Sequence, residues 1–236
     1  MAKLSWDQQG DRKYETGVSN VAIYINNGAG VAWNGVTAIT ESPSGAEPTA
    51  LYADDIKYLN LISTEELTAT IEAYTWPTEF NKALGFISSV SGLSFARQGR
   101  SLFGLVYKTR IGNDLLKQNY GYKLHIIYNC LAGPTERAYQ TISDSPDAVS
   151  FSWEINTTPI TCDGYNNTAS IVIDSTLIDA EILSQIEDTL FGTEDSDPTI
   201  LLPSEIIDVI SNFGGRITDA NGDYILDSDG DYLVAS

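Results

Sequence analysis

The stretch Gly30-Val31-Ala32-Trp33-Asn34-Gly35-Val36-Thr37-Ala38-Ile39-Thr40, followed by Glu41-Ser42-Pro43-Ser44-Gly45 and then Leu51 to Tyr58, reads as strand, turn, strand. Val31 and Trp33 share one face of an extended chain, and Val36, Ala38 and Thr40 share the other. Ser42-Pro43-Ser44-Gly45 carries turn chemistry and predicts a break, after which Leu51 to Tyr58 resumes as one extended segment.

The same period of two spreads outward. Leu67, Ala69, Ile71 and Ala73 alternate with Thr68, Thr70, Glu72 and Tyr74. Tyr122, Leu124, Ile126 and Tyr128 alternate with Lys123, His125, Ile127 and Asn129, and Val149, Phe151, Trp153 and Ile155 with polar neighbours. Such alternation predicts antiparallel sheet with one covered face. Shorter strands are expected at 21–25, 102–111 and 168–173. One helix is expected at about 176–191: Asp174-Ser175-Thr176 offers caps, Ile178, Ile182, Ile186 and Leu190 form a stripe, and Gly192 follows as C′ residue. A second, shorter helix should start at Pro203 and end before Gly214-Gly215. The fold class is therefore mainly β and antiparallel, with the amphipathic helix on one face of the sheet or across its end.

Two long loops are expected, 75–101 with a helical turn near 79–84, and 112–121 with the apolar pair Leu115-Leu116 at its tip. The C-terminus repeats every eight residues, Ile217 to Tyr224 and Ile225 to Tyr232, with hairpin signals at Asn221-Gly222 and Asp229-Gly230.

The chain has 236 residues, enough for one substantial core, and 42% of them are hydrophobic. No apolar run approaches the ~18 residues a bilayer span needs, and the first residues lack a secretion signal's apolar core. Cytosolic folding is the expectation, with Cys130 and Cys162 as free thiols and the sequons at Asn156 and Asn166 unused. The net charge of −19 argues against nucleic-acid binding, because neutralising phosphates takes Lys and Arg. Such charge keeps an abundant protein soluble.

Catalytic patterns are missing. The single histidine, His125, has no partner nominated by spacing, so an ordinary strand histidine is expected. No Gly-x-Ser-x-Gly, Walker loop, His-Glu-x-x-His or Cys-x-x-Cys occurs. Asp54-Asp55 and Glu65-Glu66 are adjacent pairs that diverge on a strand, so they read as solvated charge. Counting an EF-hand loop from Asp219 puts Tyr224 at the sixth position and Gly230 at the twelfth, where Gly and Glu are needed, so hairpin turns explain these acids better than calcium. Trp33 and Trp153 fall on apolar faces and should be core. Trp6 stands in an otherwise polar arm, where an isolated aromatic anchors onto a neighbour.

Residues 30–58 together with Met1–Gln8, Tyr14–Val18, Thr70–Tyr74, Leu105–Asp114, Gly121–His125 and Ser150–Glu154 resemble the major tail proteins of long, non-contractile-tailed phages, over about residues 1–213. The missing catalytic patterns carry the expectation of no enzymatic activity and no cofactor. The resemblance implies an antiparallel β-sandwich or barrel flanked by the helix at about 176–191, and a virion tail-tube subunit made and assembled in the host cytoplasm. It also implies hexameric rings stacked into a tube, other tail proteins such as the tape measure as partners, and DNA passing through the lumen without specific binding. On that resemblance the chain divides into an assembly arm at 1–17, a β domain at 18–213 and an extension at 214–236. Trp6, Leu115 and Leu116 become candidate assembly contacts. A carbohydrate- or ligand-binding β-sandwich, as in a phage adhesin, is the alternative.

Overall fold

A computed structural model describes residues 4–45, 47–63, 65–90, 92–139, 141, 148–162 and 164–214. The octapeptide repeat and its two hairpin turns lie outside the described residues. Among the described residues there are twelve strands, β1 (Lys13–Ile25), β2 (Gly30–Ala32), β3 (Val36–Ser44), β4 (Pro48–Ala53), β5 (Ile56–Ile62), β6 (Glu66–Ala73), β7 (Ile87–Val90), β8 (Leu93–Phe95), β9 (Phe103–Asn113), β10 (Lys117–Ala132), β11 (Phe151–Asn156) and β12 (Ser170–Asp174). Two helices follow among the described residues, α1 (Ala180–Phe191) and α2 (Pro203–Gly214).

The main sheet runs β2-β1-β9-β10-β11-β6-β3, all antiparallel, with β12 also paired to β10. Strand β10 joins two halves. Its Lys123–Ile127 segment pairs with β12, and Leu131 and Ala132 pair with β11. Between them the register breaks from Ile127 to Cys130, and Asn129 takes φ 47°. A bulge of this kind bends a strand from one sheet into the next.

The expectation of one covered face is corrected for the central strands, which are covered on both. On β9, Phe103, Leu105 and Tyr107 enter one core and Val106 the other. On β10, Ile127 enters the first, while Leu124, Ile126 and Tyr128 enter the second. The first core lies against β6 and β11, where Trp33, Phe80 and Trp153 pack with ring centroids 4.4 to 5.7 Å apart. The second is closed by Ile182, Leu183, Ile186 and Leu190 of α1 and Ile206 of α2. The result is a sandwich-like pair of sheets with a helical layer on one side. Each fully buried Ile or Leu contributes about 1.5–3 kcal/mol.

Local corrections have local causes. Pro43 does not break β3, because β3 is an edge strand and pairs Pro43 with Leu67 without needing every N–H. Leu51 to Tyr58 is not one extended segment: Asp54 and Asp55, at φ 50° and 61°, turn it into the β4–β5 hairpin. These two acids therefore sit in a turn rather than on a strand. Helix α1 begins at Ala180, not near 176, because the Asp179 carboxylate caps it by accepting from the Glu181 N–H at 2.8 Å. Asp174 instead accepts from the Thr176 N–H and holds the turn before it. The loop expected at 112–121 is a tight turn between β9 and β10, and 75–101 contains a 3-10 turn at Thr78–Lys82 and the β7–β8 hairpin.

Candidate assembly surfaces

The three residues singled out from sequence are all exposed, Trp6 at 72%, Leu115 at 54% and Leu116 at 57%. The structure brings their segments together. Asn113 Oδ1 accepts from the N–H groups of Leu115 and Leu116, which shapes the β9–β10 turn. Asp114 then accepts from the Gly10 N–H at 3.0 Å, and Asn113 Nδ2 donates to the Gly10 carbonyl. The arm is thus moored to the hairpin tip, at a point where a Cβ on Gly10 would lie 3.3 Å from Leu115 Cδ1. Strand β1 starts at Lys13, so the stretch from Lys13 to Thr16 is already paired with β9.

A larger apolar surface escaped the sequence reading. Every residue of β5 is exposed, and so is most of β4. Tyr52, Ile56, Tyr58, Leu61 and Ile62 are each more than half exposed. Among the described residues the two strands pair only with each other, and β7 and β8 form a second such ribbon with Ile87, Val90, Leu93 and Phe95 exposed. An isolated two-stranded ribbon is marginal in water. One carrying this many apolar side chains must be covered by something else. Composition offered no signal, because Ile56 to Ile62 has the apolar content of a buried strand.

His125 does have partners once the chain folds. Its Nε2 lies 2.9 Å from Thr109 Oγ1, and its ring stacks on Tyr107. Its Nδ1 is 3.6 Å from Glu41 Oε1, an electrostatic approach longer than a hydrogen bond, which leaves Nδ1 buried without a hydrogen-bond partner. The Tyr107 hydroxyl donates to the same Glu41 oxygen. His125 and the Tyr107 hydroxyl hold the Glu41 carboxyl below its ordinary pKa, against an opposing push from burial. Burial, and then Glu41, raise the Tyr107 phenol. The order hydroxyl, imidazole, carboxylate matches a catalytic triad on paper. However, Glu41 Oε1 already accepts from Tyr107, and four surface cavities among the described residues, of about 740, 340, 210 and 430 Å³, are lined by other residues. The cluster clamps β3 to β9 and β10.

Trp33 and Trp153 are buried, so neither contributes to an exposed sugar platform. Cys130 and Cys162 are free and buried. Among the described residues no group of three or more His, Cys, Asp or Glu side chains could hold a metal ion, and no helix is long and apolar enough to cross a membrane. The acidic charge gathers on the helical layer: from Ser175 to Gly214 the chain has no Lys or Arg, while Asp179, Glu181, Asp188, Glu194, Asp195 and Asp197 are exposed. Tyrosines tie that layer to the sheet, Tyr128 Oη donating to the Leu201 carbonyl at 2.8 Å and Tyr122 Oη to Glu187 at 2.6 Å.

No protein-family model matches the chain, and no curated protein matches it. Among solved structures it is similar to a chain in the cryo-EM structure of the anti-feeding prophage (AFP) baseplate, 6-fold symmetrised. The TM-score is 0.39 and the identity 11%, over 74% of this chain and 100% of that one, a likeness too low to bear on family or function.

Proposed function

We propose that this chain is a structural, self-assembling phage tail protein, a subunit of the tail tube. The observation that carries the reading is the β4–β5 hairpin, whose apolar residues are exposed among the described residues and would be covered by association of copies. The sequence resemblance supplies the kind of assembly: hexameric rings that stack, with DNA passing through and other tail proteins at the ends. The edge strands β2 and β3 fit it, because a ring pairs or covers edges that a monomer leaves open. The net charge of −19 suits a conduit that DNA must not adhere to.

Negative-stain microscopy and sedimentation of the purified protein test this. Rings or tubes are expected. Compact monomers at every concentration would end the reading and favour the ligand-binding sandwich.

A further inference from the structure

In a chain with thirteen Lys and Arg residues, three arginines line one surface cavity of about 340 Å³: Arg97, Arg100 and Arg137. Its apolar walls include Leu84, Phe86 and Pro134. Two of the three guanidinium groups sit against neutral neighbours. Arg100 donates to the Ala132 carbonyl, and Arg137 lies 5.0 Å from the Trp76 ring centroid and 4.9 Å from that of Phe86. The ion pairs among the described residues, Lys108–Glu187 and Lys123–Glu15, include none of the three. Guanidinium groups positioned in this way form a socket for carboxylates, because the planar fork matches a carboxylate bidentately.

We propose that this socket receives the Asp54-Asp55 turn of a second copy of the chain. The proposal rests on the self-assembly reading and names its contact. The β4–β5 turn presents two adjacent carboxylates, flanked by exposed Tyr52, Ile56 and Tyr58. Acid at the tip meets arginine in the cavity, and the flanking side chains meet Leu84, Phe86 and Pro134. Among the described residues of one copy the turn is exposed and lies outside the cavity's lining, so the proposed partners come from different copies. Knob and socket are different surfaces. Unless two copies exchange knobs reciprocally about a two-fold axis, their pairing is heterologous and propagates into a ring or an open polymer. A nucleic-acid ligand is disfavoured by the charge of −19, which repels phosphate before three arginines can attract it.

The test is charge exchange. One variant carries Asp54→Lys and Asp55→Lys; Lys117 already occupies φ 52° in this fold, so lysine fits such a turn. The other carries Arg97→Glu and Arg137→Glu. In sedimentation velocity each variant alone should associate about tenfold more weakly than wild type, or worse. An equimolar mixture should recover, because each knob then finds a socket of opposite sign. Asp54→Asn with Asp55→Asn, which leaves the cavity untouched and keeps a residue tolerant of positive φ, should weaken association in the same direction. Wild-type association in either exchanged variant, or a mixture that stays dissociated while both proteins melt cooperatively, would overturn the proposal. Duplex DNA retained by wild type and lost in the arginine variant, with assembly unchanged, would overturn it in favour of a nucleic-acid site. Tubes indifferent to all these changes would sink the contact and keep the tube. Small oligomers that dissociate and recover as described would keep the contact and sink the tube.

Discussion

The Tyr107 ring lies flat on the imidazole of His125, with centroids 4.5 Å apart and planes 3° from parallel, while its hydroxyl donates to Glu41. Tyr107 and His125 belong to neighbouring strands of one sheet, and Glu41 comes from β3 at the edge of the other half. The contact therefore fixes how β3, which leads into the exposed hairpin, sits over the central strands.

This arrangement predicts acid sensitivity. The folded-state pKa of Glu41 is depressed, so its contribution is present above the unfolded carboxylate pKa and is lost as pH falls through the folded value. Glu41→Gln should lower stability at neutral pH by about 1 kcal/mol, the scale of one such hydrogen bond. The deficit should shrink toward acid pH. Urea melts of both proteins between neutral and acidic pH check it; a deficit that grows toward acid would contradict the linkage.

The close fit of β9 against the segment before α2 gives a second prediction. A Cβ on Gly104 would lie 2.2 Å from Ile200 Cδ1. Gly104→Ala should therefore destabilise by about 1–3 kcal/mol through overpacking. Adding Ile200→Val, which removes that methyl, should restore part of the loss in a double-mutant cycle measured by denaturant unfolding.

At the β9–β10 tip, Leu115 and Leu116 are exposed, and replacing both with Ser should change monomer stability by no more than about 0.5 kcal/mol. Association should weaken, because the pair is offered to a neighbour. Thermal melts and sedimentation together decide. A large fall in melting temperature with normal association would assign the pair to its own subunit.

Removing residues 1–9 takes away Trp6 but leaves Gly10, its bonds to Asp114 and Asn113, and all of β1. The shortened protein should melt like the full chain and fail to stack. Tubes of normal length in the microscope would show that the arm takes no part in stacking.

How much of this was legible in advance differs from residue to residue. The exposed ribbon illustrates the limit: Ile56 to Ile62 has a core strand's composition, and only the fold shows that no second layer among the described residues reaches it. Trp6, Leu115 and Leu116 were identifiable because apolar residues in polar surroundings signal exposure. Arg97, Arg100 and Arg137 carried no local signal, since the chain that separates them in sequence is folded back to join them around one cavity.

By itself the sequence determined the β class, the alternation of Leu67 to Ala73 and Phe151 to Ile155, and the α1 stripe from Ile182 to Leu190 with Gly192 after it. Those features are periodic over a few neighbouring residues, and short-range sterics and side-chain direction express them locally. Tertiary structure alone decided that β9 and β10 face a core on each side, that Asp179 rather than Asp174 caps α1, and that Pro43 stays within an edge strand. It also set Glu41 against Tyr107 and His125. Each of these depends on which segment arrives opposite a given face, and that choice is made by burial across residues far apart in the chain, where no local period records it.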